Sequence, residues 1–167
     1  MRCFARDGFA SSSMADIISE SGMSAGSIYS HFESKTDLIR FVASTVLEPR
    51  LAAFPSARDA VEILTPAEAF LAISEAFQDR ERARVLIQVW GEVARDPEMA
   101  AVARENFDRV RNALHDGLGA WAASRSTSAE RAADVVIALL QGYVTRVGID
   151  ALVDPSELRR SLADGLH

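Results

Sequence analysis

The residue types that carry catalysis or metal binding are present in this chain but not in a working arrangement. Its three histidines, His31, His115 and His167, stand in no metal-ligand spacing with one another or with the single cysteine, Cys3. The chain has no glycine-rich phosphate loop, no nucleophile elbow and no HExxH pair. Glu92, Asp96 and Glu98 lie close in sequence, at a helix junction where capping and solvation account for them. Neither an enzyme nor a metal or cofactor site is expected. The chemistry that does show is binding. Ser13, Ser24 and Ser34 precede three short helical stretches, and the chain's only lysine, Lys35, follows the third. Free N–H groups and the positive dipole end make the helix starts at Ser13 and Ser34 suitable for anions.

The elements around these serines follow from caps and periodicity. Met14, Ile17 and Ile18 share a helical face after Ser13, and Gly22 stands where a helix stops through the left-handed conformation. Ser24 caps a second helix, over 24–31, with Ile28 inward and Phe32 closing its end. Ser34 caps a third, with Asp37 at the third position. The first two are joined by a turn of about three or four residues, the length of a helix-turn-helix pair. The opening MRCFARD reads as the second half of a helix, with Phe4 and Phe9 packing on the pair.

Further along, Leu38, Ile39, Val42, Val46 and Leu47 keep a helical period up to Pro49, which ends or kinks the helix. Phe54-Pro55-Ser56 reads as a domain boundary, and residues 57–63 as a helical turn or two. Thr65-Pro66-Ala67-Glu68, Asp96-Pro97-Glu98, Thr127-Ser128-Ala129-Glu130 and Asp154-Pro155-Ser156-Glu157 each open a helix. Another runs from about Glu81 to Arg95. Nothing alternates with period two. The expected fold is all-α, with about nine helices: a small helix-turn-helix domain over 1–48 and a larger helical bundle over 49–167.

At 167 residues, 49% apolar and 25% charged, the balance is globular. No apolar run approaches the roughly 18 residues of a membrane span, and the first residues do not read as a signal peptide. One cysteine excludes an internal disulfide and fits a reducing cytoplasm. The net charge of −6 is unusual for a polyanion binder: residues 1–50 hold five Lys/Arg against six Asp/Glu. Phosphate neutralisation supplies most non-specific affinity, so charge alone would hold DNA weakly here.

The motif resembles the N-terminal DNA-binding domain of TetR-type transcriptional regulators, a bacterial family. The matching marks are Gly8-Phe9, Ser13-Met14, Ile17, Gly22, Ser24, Gly26, Ile28-Tyr29, His31-Phe32, Ser34-Lys35 and Leu38, and the likeness is sharp over residues 4–42. In that family the first helix is about twice as long and follows a basic arm, so this chain reads as shortened by about 15–25 residues. If the second helix enters the major groove, Ala25, Gly26 and Ser27 face base edges, with Ser30 a turn later. Such small side chains give modest direct readout. The resemblance adds Tyr29, His31, Ser13 and Lys35 as phosphate contacts, completing with Ser24 the DNA-binding set.

The resemblance also implies a ligand pocket and a dimer interface in the C-terminal helices. Pocket candidates are Phe70, Phe77, Trp90, Phe107, Trp121 and Tyr143, although plain core is the better reading of each one taken singly. The 129–150 helix carries too broad an apolar surface for one-sided packing. Its Val135, Val136, Leu139, Gly142, Tyr143 and Val147, with Leu158 and Leu162 of the last helix, are the interface candidates. The function so implied is a homodimeric cytoplasmic repressor on a palindromic operator in double-stranded DNA, with no membrane partner. A small hydrophobic or amphipathic effector would release it. The alternative is a helical small-molecule-binding or protein-interaction module with weakened or lost DNA binding.

Overall fold

Eight side-chain oxygens start eight helices, and the architecture follows from where they fall. The computed structural model describes residues 2–47, 63–150 and 152–166. Among them are nine α-helices and no strand: α1 (Arg2–Ser11), α2 (Met14–Ser21), α3 (Ala25–His31), α4 (Lys35–Leu47), α5 (Pro66–Ser74), α6 (Arg80–Val93), α7 (Pro97–Ser124), α8 (Ala129–Ile149) and α9 (Pro155–Asp164). Ser13, Ser24, Ser34, Thr65, Asp79, Asp96, Ser128 and Asp154 each accept a backbone N–H of the first turn that follows. Ser13 with Asp16, and Thr65 with Glu68, form complete capping boxes. Proline opens α5, α7 and α9, where its missing N–H costs no helical hydrogen bond. The helix expected from Glu81 starts one residue earlier, because Asp79 caps it. Phe77 lies beyond α5, in a 3-10 turn. Pro49, the Phe54-Pro55-Ser56 boundary, the 48/49 domain division and residues 57–62 lie outside the described residues.

Helix α8 is the spine of the C-terminal bundle, packed by α5, α6, α7 and α9. Its Ala133, Val136, Tyr143 and Val147 are wholly buried. By length and composition α8 could cross a membrane. Its buried stripe instead supplies the core against the neighbouring helices. At Gly148 the bundle closes most tightly: a Cβ there would stand 2.5 Å from Ile87 Cδ1 and 3.3 Å from the backbone at Ala83 and Arg84. Two α6 arginines cover the end of α8. Arg80 donates to the carbonyls of Val147 (3.2 Å), Asp150 (2.5 Å) and Val153, and Arg84 to that of Gly148 (3.1 Å). These cations satisfy carbonyls left without helical partners and oppose the negative dipole end.

The N-terminal helices rest on the same α6. Helix α1 breaks at Gly8 (φ 84°, ψ 161°), a conformation that favours glycine. The break folds Phe9 back on Phe4, edge to ring at 4.7 Å, with both buried. Gln88 of α6 closes the break, donating to the Phe4 carbonyl (2.7 Å) and accepting from the Phe9 N–H (2.9 Å). Arg40 of α4 adds ion pairs to Asp96 (3.7 Å) and Glu98 at the start of α7. Gly148→Ala should overpack the α6–α8 contact and lower stability by about 1–3 kcal/mol. Guanidinium denaturation followed by circular dichroism measures this, and an unchanged midpoint would refute the close approach.

Candidate DNA-reading face and effector cavity

Helix α3 shows solvent nearly everything except Ile28. Ala25, Gly26, Tyr29, Ser30 and His31 are exposed, Ser27 is half-buried and Ile28 is buried. Tyr29 is 54% exposed, so it does not pack away against a neighbouring helix. A Cβ at Gly26 would meet no atom within 4 Å. No contact inside the subunit therefore requires glycine there, whereas a molecule approaching α3 would gain from its bareness. Gly22, at φ 69°, ends α2 in the left-handed region and sets the entry to Ser24.

The three helix starts differ in how much hydrogen-bonding capacity they leave. Ser24 accepts from the Ser27 N–H (3.1 Å), and Ser34 from the Asp37 N–H (3.1 Å). Ser30 donates its hydroxyl to the Ser27 carbonyl (2.7 Å). Lys35 is half-buried at the head of α4. At α2, both the N–H and the hydroxyl of Ser13 donate to the Asp16 carboxylate, at 2.8 and 2.5 Å. The α2 start thus already holds an anion, and a phosphate at Ser13 would have to displace it. The Ser13 hydroxyl and N–H, assisted by Arg6, hold the Asp16 carboxyl below its ordinary pKa.

A narrow apolar cavity lies inside the C-terminal bundle, between the 3-10 turn, α6, α7 and α8. Its cavity volume is ≈ 70 Å³, with a mouth open to solvent. Of the pocket candidates, Phe77, Trp90 and Phe107 line it. Phe70 and Tyr143 do not: both are fully buried and pack edge to ring at 5.9 Å, as core. Among the described residues the Tyr143 hydroxyl has no hydrogen-bond partner, and burial raises its pKa. Trp121, two turns beyond the buried Leu114, is half-buried and outside the lining. Ile73, Leu86, Asn106, Val110, Ile137, Leu140, Gln141 and Val144 complete the wall. Asn106 carried a legible signal, being a polar residue at an inward position on the Ala103–Phe107–Leu114 stripe. Among the described residues no group of three His, Cys, Asp or Glu could hold a metal ion.

The expected dimer face of α8 is really two faces. Val136, Tyr143 and Val147 point into the subunit's own core and are unavailable to a partner. Val135 is 49% exposed and Ile149 is 69% exposed, with Gly142 exposed and Leu139 half-buried between them. A Cβ at Gly142 would meet nothing within 4 Å. Leu158 and Leu162 of α9 are half-buried.

A bare, exposed reading helix in a helix-turn-helix, joined to a helical bundle with an apolar cavity, defines a one-component regulator. Residues 1–42 match the family model for bacterial regulatory proteins of the tetR family, and residues 67–167 match that for the BetI-type transcriptional repressor C-terminal domain. The chain belongs to the tetR family and is a DNA-binding transcriptional regulator. No curated protein matches it. Solved structures of similar fold include Salmonella enterica GusR, with 25% identity and a TM-score of 0.69 over 98% of this chain and 88% of that one. Bacillus subtilis FadR in complex with stearoyl-CoA gives 21% identity and 0.76 over 98% and 91%. A Saccharomonospora viridis regulator in complex with choline gives 22% and 0.68 over 98% and 88%.

Asp16→Asn should tighten binding to any duplex a few-fold at low salt, because it removes a negative charge from the α2 start. Fluorescence anisotropy with an arbitrary DNA sequence measures this. Because its folded pKa is lowered, Asp16 contributes stability above the ordinary carboxylate pKa and loses it as pH falls through the lowered value. An acid titration of Asp16→Asn should lack that component.

Proposed function

We propose that the protein is a homodimeric repressor, acting in the cytoplasm by binding and not by catalysis. Its paired α3 helices read the two halves of a palindromic operator, and a small molecule in the cavity releases it. The observation that carries this reading is the double duty of α6. Leu86 and Trp90 form cavity wall, while Gln88, between them in sequence, clasps both sides of the break in α1. A shift of α6 about an occupant is therefore passed to the helix on which the reading domain rests. For release, the occupant must bind the displaced arrangement better than the DNA-bound one.

Two copies would meet through the outward stripe of α8, from Val135 through Leu139 and Gly142 to Ile149, continued by Leu158 and Leu162. The two α3 helices would then stand about 34–36 Å apart, or a multiple of that, to enter successive major-groove faces. Ala25, Gly26 and Ser27 would approach base edges, and Tyr29, His31 and Lys35 phosphates. The acidic balance of residues 1–50 and the occupied α2 start favour a second reading, in which the chain binds its small molecule but holds DNA weakly.

Retardation of the DNA upstream of its own gene separates the two, and no retardation at low salt would leave the second standing. Lys35→Ala should weaken binding to all sequences alike and lower the salt slope by about one unit. Salt titrations that superimpose on wild type would remove Lys35 from the phosphate contacts. Val135→Asp with Leu139→Asp should convert the dimer to monomer in sedimentation velocity. A pair of variants that stays dimeric would place the interface elsewhere.

A further inference from the structure

The reading helices are held to the bundle at two places, and the second is built around one cation. Arg40 of α4 faces three carboxylates: Asp37 of its own helix (3.5 Å), and Asp96 (3.7 Å) and Glu98 at the start of α7. Its side chain is 32% exposed, and its Nε is buried without a hydrogen-bond partner. The terminal nitrogens carry the contacts, one to Asp37 and the other to both acids of α7. Asp96 serves two helices. Its Oδ1 accepts the N–H groups of Glu98 (2.8 Å) and Met99 (3.4 Å), capping α7, while its Oδ2 faces Arg40. Met99 is buried, which seats that first turn in the core. Glu98 is 71% exposed, and among the described residues its only ion pair is with Arg40.

What Arg40 holds is passed on to α3. Phe32, which closes α3, packs its ring on Phe41, the residue after Arg40, with centroids 5.3 Å apart. Only residues 32–34 separate α3 from α4. The other attachment, Gln88, grips α1. A body fixed at one place can pivot there, and a second directional contact sets its tilt. Leu38, Ile39 and Val42 of α4 bury apolar area, which is non-directional, whereas a guanidinium paired to two carboxylates of one helical turn fixes a geometry. Further along, the same α7 lines the cavity with Asn106, Phe107 and Val110.

We propose that Arg40 is a positioning residue for operator reading: acting through Asp96 and Glu98, it sets the tilt of α3 relative to the bundle. This rests on reading α3 as the helix that enters the operator. Fluorescence anisotropy tests it on the full chain, with the DNA upstream of its own gene and with an arbitrary duplex. The proteins compared are wild type, Glu98→Gln, Arg40→Gln and the double variant. By charge alone, removing an acid should tighten binding to any duplex. Glu98→Gln should instead weaken binding to the upstream DNA about two- to fivefold per subunit, the range of an exposed ion pair. The arbitrary duplex should be held as tightly as before, or more so. Arg40→Gln should weaken the upstream DNA at least as much, and the double variant should fall no further, because both changes remove one contact. Glu98→Gln binding the upstream DNA as tightly as wild type, or losses that add in the double variant, would overturn the proposal. Should Arg40→Gln fail to fold, the sign of the Glu98→Gln effect decides alone. Wild type that retards no DNA at low salt removes the operator reading and this proposal together, whereas retardation insensitive to Glu98→Gln removes this one only.

Discussion

One primary amide joins the two halves of this molecule. Gln88 presents its C=O and N–H₂ as a peptide group would, to the Phe9 N–H and Phe4 carbonyl that the break at Gly8 leaves unpaired. Burying either group without a partner costs about 1–3 kcal/mol. The N-terminal helices are therefore tied to α6 by specific bonds as well as by apolar contact. Arg40 adds a second tie to the start of α7, and Arg80 and Arg84 fix α6 to the end of α8. Helix α6 is held from both ends, with cavity wall between.

That arrangement makes an acidic DNA-binding domain easier to understand. Helix α2 has no fully buried residue, and α3 has only Ile28. The reading pair is thus a thin layer, positioned by caps and by the helices beneath it. Phosphate attraction is weak where residues 1–50 hold six acids and five bases. On the proposed reading, affinity rests on the fit of a spaced pair of such layers, which a shift of α6 would disturb.

Where helices begin was legible in the sequence, because an N-cap is satisfied within four residues of itself. Ser13, Ser24, Ser34, Thr65, Asp96, Ser128 and Asp154 needed no knowledge of the rest of the chain. Asp79 was passed over because the apolar period that follows it starts later. The exposed side of α3 was also readable, since only Ile28 is apolar and inward on so short a helix. Which side of α8 faces inward was not readable. Its apolar residues run almost all round, and only the packing of α5, α6 and α7 buries Val136, Tyr143 and Val147 while leaving Val135 and Ile149 outside. The cavity was half readable for the same reason. Aromatic residues mark what must be buried, but whether Phe107 borders empty space or Phe70 meets another ring depends on helices far apart in the chain.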